Sequence, residues 1–487
     1  MEKMLNKILL RIAAPLTSLL LVSSPALTQG QAPASAQPQP TRFNRAPVSD
    51  EILHVHIPRP VKQTLPNGVR VLVLENHRAA AINVSIYVDG AGGLFDPAGQ
   101  PGLANMTGQM LNKGTEKLSA QDIAQATDTQ GATLAVATSS TSANVALSAG
   151  GLSVNVDRWL PIVADVLLHP SFPADELADA KQRQLSRLQS QQVNASFLAT
   201  KYLRKALYGD TPEGIVSATP ASTTAFTVEA IRGFYAQRYT PQNTIVIIAG
   251  DITPTKAFAA VSDVLKGWQR TDLQVTLPAV TRETAARTVT LVDRPGSVQT
   301  NLILGRLAVD RRDPDYVPLM VANHVLGTGP AGRLFMRLRE EKSYTYGAYS
   351  TVDAGDYRGY VSATSEVRSP VTGGALDEFF NEFHRLGSEP VGSEELKRHE
   401  HSMVAIFALS LESPAALLTY VHTQEHYGFP EDYWDRYAEQ LATISAGDVM
   451  RMGAKYFSGD HMQVVAVGDP AIQPALAKWG DVREVKP

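Results

Sequence analysis

Phe234-Tyr235-Ala236-Gln237-Arg238-Tyr239, followed by Thr244-Ile245-Val246-Ile247-Ile248 and Gly250-Asp251, is the stretch on which the reading of the fold turns. It recurs as Lys455-Tyr456-Phe457, then Gln463–Val467 and Gly468-Asp469, at a constant offset of 218 residues. Each copy reads as a helix with an aromatic end, then a β-branched strand closed by Gly-Asp, a strand-to-turn signal. Working outward, each copy has strands upstream: Val69–Leu74 and Ile82–Val88 before the first, Thr288–Val292 and Thr300–Leu304 before the second. Helical periodicity lies between them, as in Glu176–Gln192 and Asp315–Leu326. Strands, then helices, then a returning strand predict two α+β domains, each with helices packed on a mostly antiparallel sheet. The expected boundaries are 61–270 and 288–480, with the aperiodic stretch 271–287 as linker.

Composition narrows the function. The chain has 487 residues, 44% of them hydrophobic and 19% charged, enough for two sizeable cores. Forty-four Lys and Arg against 48 Asp and Glu give a net charge of −4, so no basic footprint for nucleic acid is expected. The absence of cysteine excludes disulfides, thiol catalysis and zinc–cysteine sites. After the first 30 residues no apolar run approaches the roughly 20 needed to span a bilayer, so no membrane partner is expected.

Those first residues carry secretory grammar. Lys3, Lys7 and Arg11 form a basic start, Ile12–Val22 an apolar stretch, and Ser24-Pro25-Ala26 a small-x-small cleavage site. Residues 1–26 are expected to be removed on export, which takes away three positives and one negative and leaves a net charge of −6. Residues 27–60 then form a Pro/Ala-rich tether and an N-terminal arm, containing Gln31–Pro40. A cysteine-free exported chain of this style suits a bacterial periplasm.

Leu65-Pro66-Asn67-Gly68-Val69-Arg70-Val71, Val88-Asp89-Gly90-Ala91-Gly92-Gly93, Pro101-Gly102-Leu103-Ala104 and Asn112-Lys113-Gly114-Thr115 together resemble the first half of the pitrilysin/insulinase (M16) zinc peptidases, in particular their mitochondrial-processing-peptidase-like branch. The resemblance covers about residues 61–480. It implies two homologous LuxS/MPP-like domains that form half of a clamshell around extended, unfolded peptide. Active members carry H-x-x-E-H between the last two of these segments. Two imidazoles at i and i+4 share a helix face and bind zinc, while the Glu between them polarises a zinc-bound water. This chain has Asn105-Met106-Thr107-Gly108-Gln109 in that window. Carboxamides replace both ligands and glycine replaces the base. The family's third ligand, a Glu on a later helix, falls in Ala180–Gln192, which contains no acid. No zinc is expected in this chain.

The second half keeps different chemistry. Active members hold the substrate carbonyl with an Arg and a Tyr seven residues apart. The segment Arg333–Tyr346 resembles theirs, and the spacing selects Arg339 and Tyr346, with Tyr344 the rival tyrosine. Guanidinium and phenol both donate to a developing oxyanion. Upstream, Gly327-Thr328-Gly329-Pro330-Ala331-Gly332 matches G-x-G-x-x-G but follows a helix and is interrupted by Pro330, so it is a poor dinucleotide fingerprint. It resembles the glycine-rich loop of non-catalytic processing-peptidase subunits, where Gly327, Gly329 and Gly332 would help admit peptide.

One literal H-x-x-E-H does occur, at His422-Thr423-Gln424-Glu425-His426. It lies in the second half, where the family keeps no metal, and a third ligand somewhat over 70 residues on would fall past Pro487. His399-Glu400-His401 is weaker, because i and i+2 do not face one another on a helix. The leading expectation is therefore a non-catalytic subunit that gives Arg339, Tyr346 and chamber walls to a homologous partner bearing zinc and an intact H-x-x-E-H. The alternatives are a catalytically dead peptide-binding scaffold and, last, an independent metallopeptidase using His422, Glu425 and His426.

Overall fold

The computed structural model describes residues 53–271, 273–277 and 285–487; the expected signal peptide, most of the tether and part of the linker lie outside the described residues. Two six-stranded sheets are built in the same way. The first comprises β1 (Val61–Thr64), β2 (Arg70–Glu75), β3 (Ala81–Asp89), β4 (Thr133–Ala137), β5 (Asn144–Leu152) and β6 (Thr244–Gly250), in the order β1-β2-β6-β3-β5-β4. The second comprises β7 (Val289–Asp293), β8 (Gln299–Leu307), β9 (Thr345–Asp353), β10 (Tyr360–Arg368), β11 (Gln463–Gly468) and β12 (Val482–Val485), in the order β12-β7-β11-β8-β10-β9. The five shared positions follow one rule: the last strand of the repeat returns to lie parallel to the first and antiparallel to the second.

The repeated sequence motif explains this placement. Six of the seven β6 residues are buried, and so are all six of β11, so each strand needs neighbours on both edges and cover on both faces. At the end of β6, Gly250 has φ +138, and a Cβ there would lie 2.1 Å from the Ala81 carbonyl oxygen of β3, so only glycine fits. The Asp251 carboxylate that follows accepts from Ser153 Oγ at 2.6 Å. Asp469, its counterpart after β11, accepts from the Gly296 and Ala471 amides at 2.7 and 2.9 Å.

Each sheet is covered on one face by its own half and on the other by a helix from the opposite half. The helix Ala195–Tyr208, capped by Asn194, lays Leu198, Leu203 and Leu207 on Ile303, Leu307 and Val465 of the second sheet. The helix Pro414–Tyr427, capped by Ser413 and stopped by left-handed Gly428, lays Leu418 and Val421 on Leu72, Ile245 and Ile247 of the first. Each such aliphatic side chain, fully buried, contributes about 1.5–3 kcal/mol. Arg204 reinforces the first exchange. Its guanidinium donates to the Glu213 carbonyl from Nε and Nη2 at 2.9 and 2.7 Å and to the Tyr357 hydroxyl at 2.6 Å, and it pairs with Asp353 at 3.1 Å. Among the described residues no single helix is long and apolar enough to cross a membrane.

Candidate functional site

The window where active members carry H-x-x-E-H lies in a short helix, Leu103–Met110. Asp96 sets its entry by accepting from the amides of Gly102 at 2.6 Å and Ala104 at 2.7 Å. Leu103, Ala104, Met106 and Met110 turn into the core, which leaves Asn105 and Gln109 together on the less buried side. Gln109 Nε2 donates to Asn105 Oδ1, and Asn105 Nδ2 lies 3.5 Å from the Thr138 carbonyl. A Cβ on Gly108 would meet Thr138 Cγ2 at 3.0 Å, so a Glu there would begin in tight contact with the β4–β5 connection, which would have to give by a few tenths of an ångström.

The later helix, Ala174–Gln192, brings Gln184, Arg187 and Gln191 to the same place, as the family spacing implies. Together with Asn105 and Gln109 they line a cavity of about 70 Å³ with Ser140 and Met106. Among the described residues no imidazole, thiol or carboxylate lines it. Four carboxamides and a guanidinium do not fit zinc: amides are weak neutral ligands and Arg187 repels a cation. The same groups suit amide recognition, and Gln191 Oε1 is buried there with no hydrogen-bond partner.

In the second half, Arg339 falls within a π-helical turn, Met336–Glu341, itself an uncommon widening of the backbone. Its guanidinium is half-exposed, bonds Glu340 Oε1 at 2.8 Å and lies 4.9 Å above the Phe335 ring. Ser343, in the turn before β9, has φ 53, a conformation costing about 1–3 kcal/mol for a non-glycine residue. Tyr346 follows on β9 and is 88% exposed, whereas the rival Tyr344 packs partly buried against the second-half core. Of the two tyrosines, the one that the seven-residue spacing selects is the exposed one.

The glycine-rich loop divides by role. A Cβ on Gly327 would lie 2.6 Å from the Ser350 amide nitrogen, and one on Gly332 would lie 2.7 Å from Gly327 Cα. Gly329 has φ +88 with nothing near its missing Cβ. Two of the three glycines are therefore required by close backbone packing, and the third by a left-handed turn.

The literal H-x-x-E-H does not assemble as a catalytic set. Glu425 turns to Lys62, with Arg70 at 4.0 Å, while His422 and His426 face the other way towards Asp89 and Asp356. The three motif residues do not converge, because positions i+3 and i+4 of this helix are claimed by opposite neighbours. Burial, with the charge of His426 adding to it, holds the His422 pKa down at about 4. Burial alone would lower His426 too, but the hydrogen bond to Asp356 and the negative charge of Asp89 nearby lift it to about 9. Asp89 lies in a segment already singled out in the sequence; Asp356, in the β9–β10 hairpin, carries no sequence signal. His399 does not pair with His401 but with His324 of the helix Tyr316–Gly327, Nδ1 to Nδ1 at 2.9 Å.

Comparison with known proteins agrees with this architecture. Residues 70–221 match the family model described as Insulinase (Peptidase family M16), and residues 225–403 match that described as Peptidase M16 inactive domain. An uncharacterized zinc protease of Mycobacterium leprae is 28% identical over 298 residues, which is 60% of this chain and 65% of that protein, just under two thirds of its length. An uncharacterized zinc protease of Bacillus subtilis is 23% identical over 72% of this chain and 84% of its own. Among solved structures, the peptidase M16 inactive domain of Pseudomonas fluorescens superposes with a TM-score of 0.78 at 26% identity, covering 84% of this chain and 98% of that one. A protease from Helicobacter pylori shares the fold with a TM-score of 0.77 at 17% identity, covering 85% and 100%. With the two models following one another along the chain over the two sheets just described, this protein belongs to peptidase family M16.

Proposed function

We propose that this chain is the non-catalytic subunit of a heterodimeric M16-type zinc peptidase of the periplasm. A homologous partner with an intact H-x-x-E-H would supply zinc and general base. This chain supplies Arg339 and Tyr346 to hold the carbonyl of an unfolded peptide, together with part of the chamber wall. The observation that carries the reading is the contrast between the halves. The positions where active members ligate zinc are carboxamides in a cavity with no acid among its described lining residues, while Tyr346 is 88% exposed and Arg339, bonded to Glu340, is half-exposed. Two donors aimed at a developing oxyanion are worth about 2.7–4 kcal/mol each when the site excludes water.

The test is peptide hydrolysis by this chain alone and mixed with a homologue carrying the intact motif. Activity is expected only in the mixture and should fall roughly 100-fold or more with Arg339→Ala in this chain. Chelator-sensitive hydrolysis by the chain alone would overturn the proposal. A second reading, a peptide-binding scaffold without turnover, is favoured by the amide-lined cavity and its unpaired Gln191 oxygen. Peptide binding with no activity in any mixture would select it.

A further inference from the structure

His422 and His426 are one turn apart on the helix Pro414–Tyr427, and opposite them stands Asp89 at the end of β3, in the other half of the chain. One ligand-capable atom from each of the three lies within 4.8 Å of the other two. Two buried atoms of these residues have no hydrogen bond: His422 Nε2, and Asp89 Oδ1, which stands 3.5 Å from His426 Nδ1. A buried polar atom left without a partner calls for an occupant. Both such atoms belong to this trio, whose ligand-capable atoms lie within 4.8 Å of one another.

The spacing shows what kind of occupant. His426 Nε2 is paired closely with Asp356 Oδ1, whereas His426 Nδ1 stands 3.5 Å from Asp89 Oδ1. A charge-assisted hydrogen bond would close to about 2.7–2.9 Å. Two ligands of one tetrahedral ion, each at about 2.0–2.1 Å, stand about 3.4 Å apart. Asp356, on the far ring nitrogen, is where a carboxylate orients a metal-bound imidazole and directs the free lone pair inwards. The His422 ring is held by stacking on Tyr87, with centroids 3.6 Å apart. Two imidazoles and one carboxylate suit zinc and its neighbours and disfavour calcium and magnesium, which demand oxygen ligands.

We propose that His422 Nε2, His426 Nδ1 and Asp89 form a binding site for one divalent transition-metal ion of the zinc class, with Asp356 as the orienting carboxylate, which clamps the helix Pro414–Tyr427 onto β3 across the two halves. Glu425, held by Lys62, does not stand beside this site, and three protein ligands leave the ion a fourth position for water. The site replaces the expectation that this chain carries no ion, and it is independent of the degenerate zinc window.

The test uses the purified full chain, stripped with chelator and dialysed, then titrated with Co²⁺ and followed by its visible d–d absorption. One tetrahedral cobalt per chain, displaced by one equivalent of Zn²⁺, is expected. His422→Phe, which keeps the stack on Tyr87, should abolish the bands, and Asp356→Asn should weaken affinity by about 10–100-fold. No tetrahedral band in the parent chain, or bands unchanged in His422→Phe, would overturn the site, leaving His426 as a proton-bearing bridge between two aspartates. If His422→Phe does not fold, X-ray absorption of the zinc-loaded parent decides. Two imidazoles plus oxygen ligands support the site, and any other imidazole count refutes it. None of these readouts depends on peptide hydrolysis, so this proposal and the heterodimer can fail separately.

Discussion

Gln109 and Asn105 hydrogen-bond to each other across one turn of the helix Leu103–Met110, Nε2 donating to Oδ1. Two side chains that in an active relative would converge on a zinc ion here satisfy one another. The i, i+4 geometry survives, and only the donor chemistry has changed.

Because the geometry survives, the site should be restorable. Asn105→His, Gln109→His and Gln184→Glu together are expected to add one bound zinc per chain over the parent, measured by metal analysis after dialysis. Adding Gly108→Glu should cost about 1–3 kcal/mol in urea unfolding, since Thr138 Cγ2 stands 3.0 Å from the new Cβ. A triple variant that gains no zinc would show that the helix Ala174–Gln192 is out of register with the ligand pair.

Tyr346 and Tyr344 should separate into function and stability. Tyr346 is 88% exposed, so Tyr346→Phe should change unfolding by less than about 0.5 kcal/mol while lowering kcat of the active mixture by about 10–100-fold. Tyr344→Ala should do the reverse, destabilising the fold and leaving residual activity in proportion to folded protein. Equal kinetic effects from the two would remove Tyr346 from the proposed pair.

Gly327→Ala and Gly329→Ala should differ sharply. At Gly327 the new methyl collides with the Ser350 backbone, and a loss on the order of 3 kcal/mol is expected, because backbone cannot move aside as a side chain can. At Gly329 only the φ of +88 is strained, at a cost of about 1–2 kcal/mol. Thermal unfolding of the two variants tests this ranking directly.

The His324–His399 pair makes stability depend on pH. With Nδ1 facing Nδ1 at 2.9 Å, one nitrogen donates and the other accepts, so the two rings cannot both be protonated at this contact. Burial, with the neighbouring His324 adding to it, pushes the His399 pKa down to about 4. The unfolded chain therefore takes up the proton first: stability is complete above about 6.5 and is lost as pH falls towards 4. His399→Gln should remove about 2–3 kcal/mol of that decline between pH 6.5 and 4, read from urea midpoints. A variant whose pH profile parallels the parent would show that the pair does not titrate with unfolding.

Most of the architecture was legible because it rests on local pattern. The repeated segment with its Gly-Asp end reads as a β-branched strand, and the structure places β6 and β11, buried almost throughout, inside their sheets. The chemistry of the window at 105–109 was equally legible, because Asn105 and Gln109 are carboxamides and Gly108 has no side chain whatever surrounds them. What pattern could not show was long-range exchange. The helix Ala195–Tyr208 falls within the first half by sequence, yet it covers the second sheet. Its apolar face is the same whichever sheet it meets.

The motif at 422–426 shows the division most clearly. Its letters by themselves determined that two imidazoles share one face of a helix, since 3.6 residues per turn allow nothing else. Whether Glu425 stands with them was decided by tertiary structure, in which Lys62 and Arg70 hold it away while Asp89 and Asp356 arrive on the histidine side. Periodicity is a property of the local chain and can be read along it. Which charges meet across the two halves depends on how the sheets and the exchanged helices pack, and only the folded molecule brings them together.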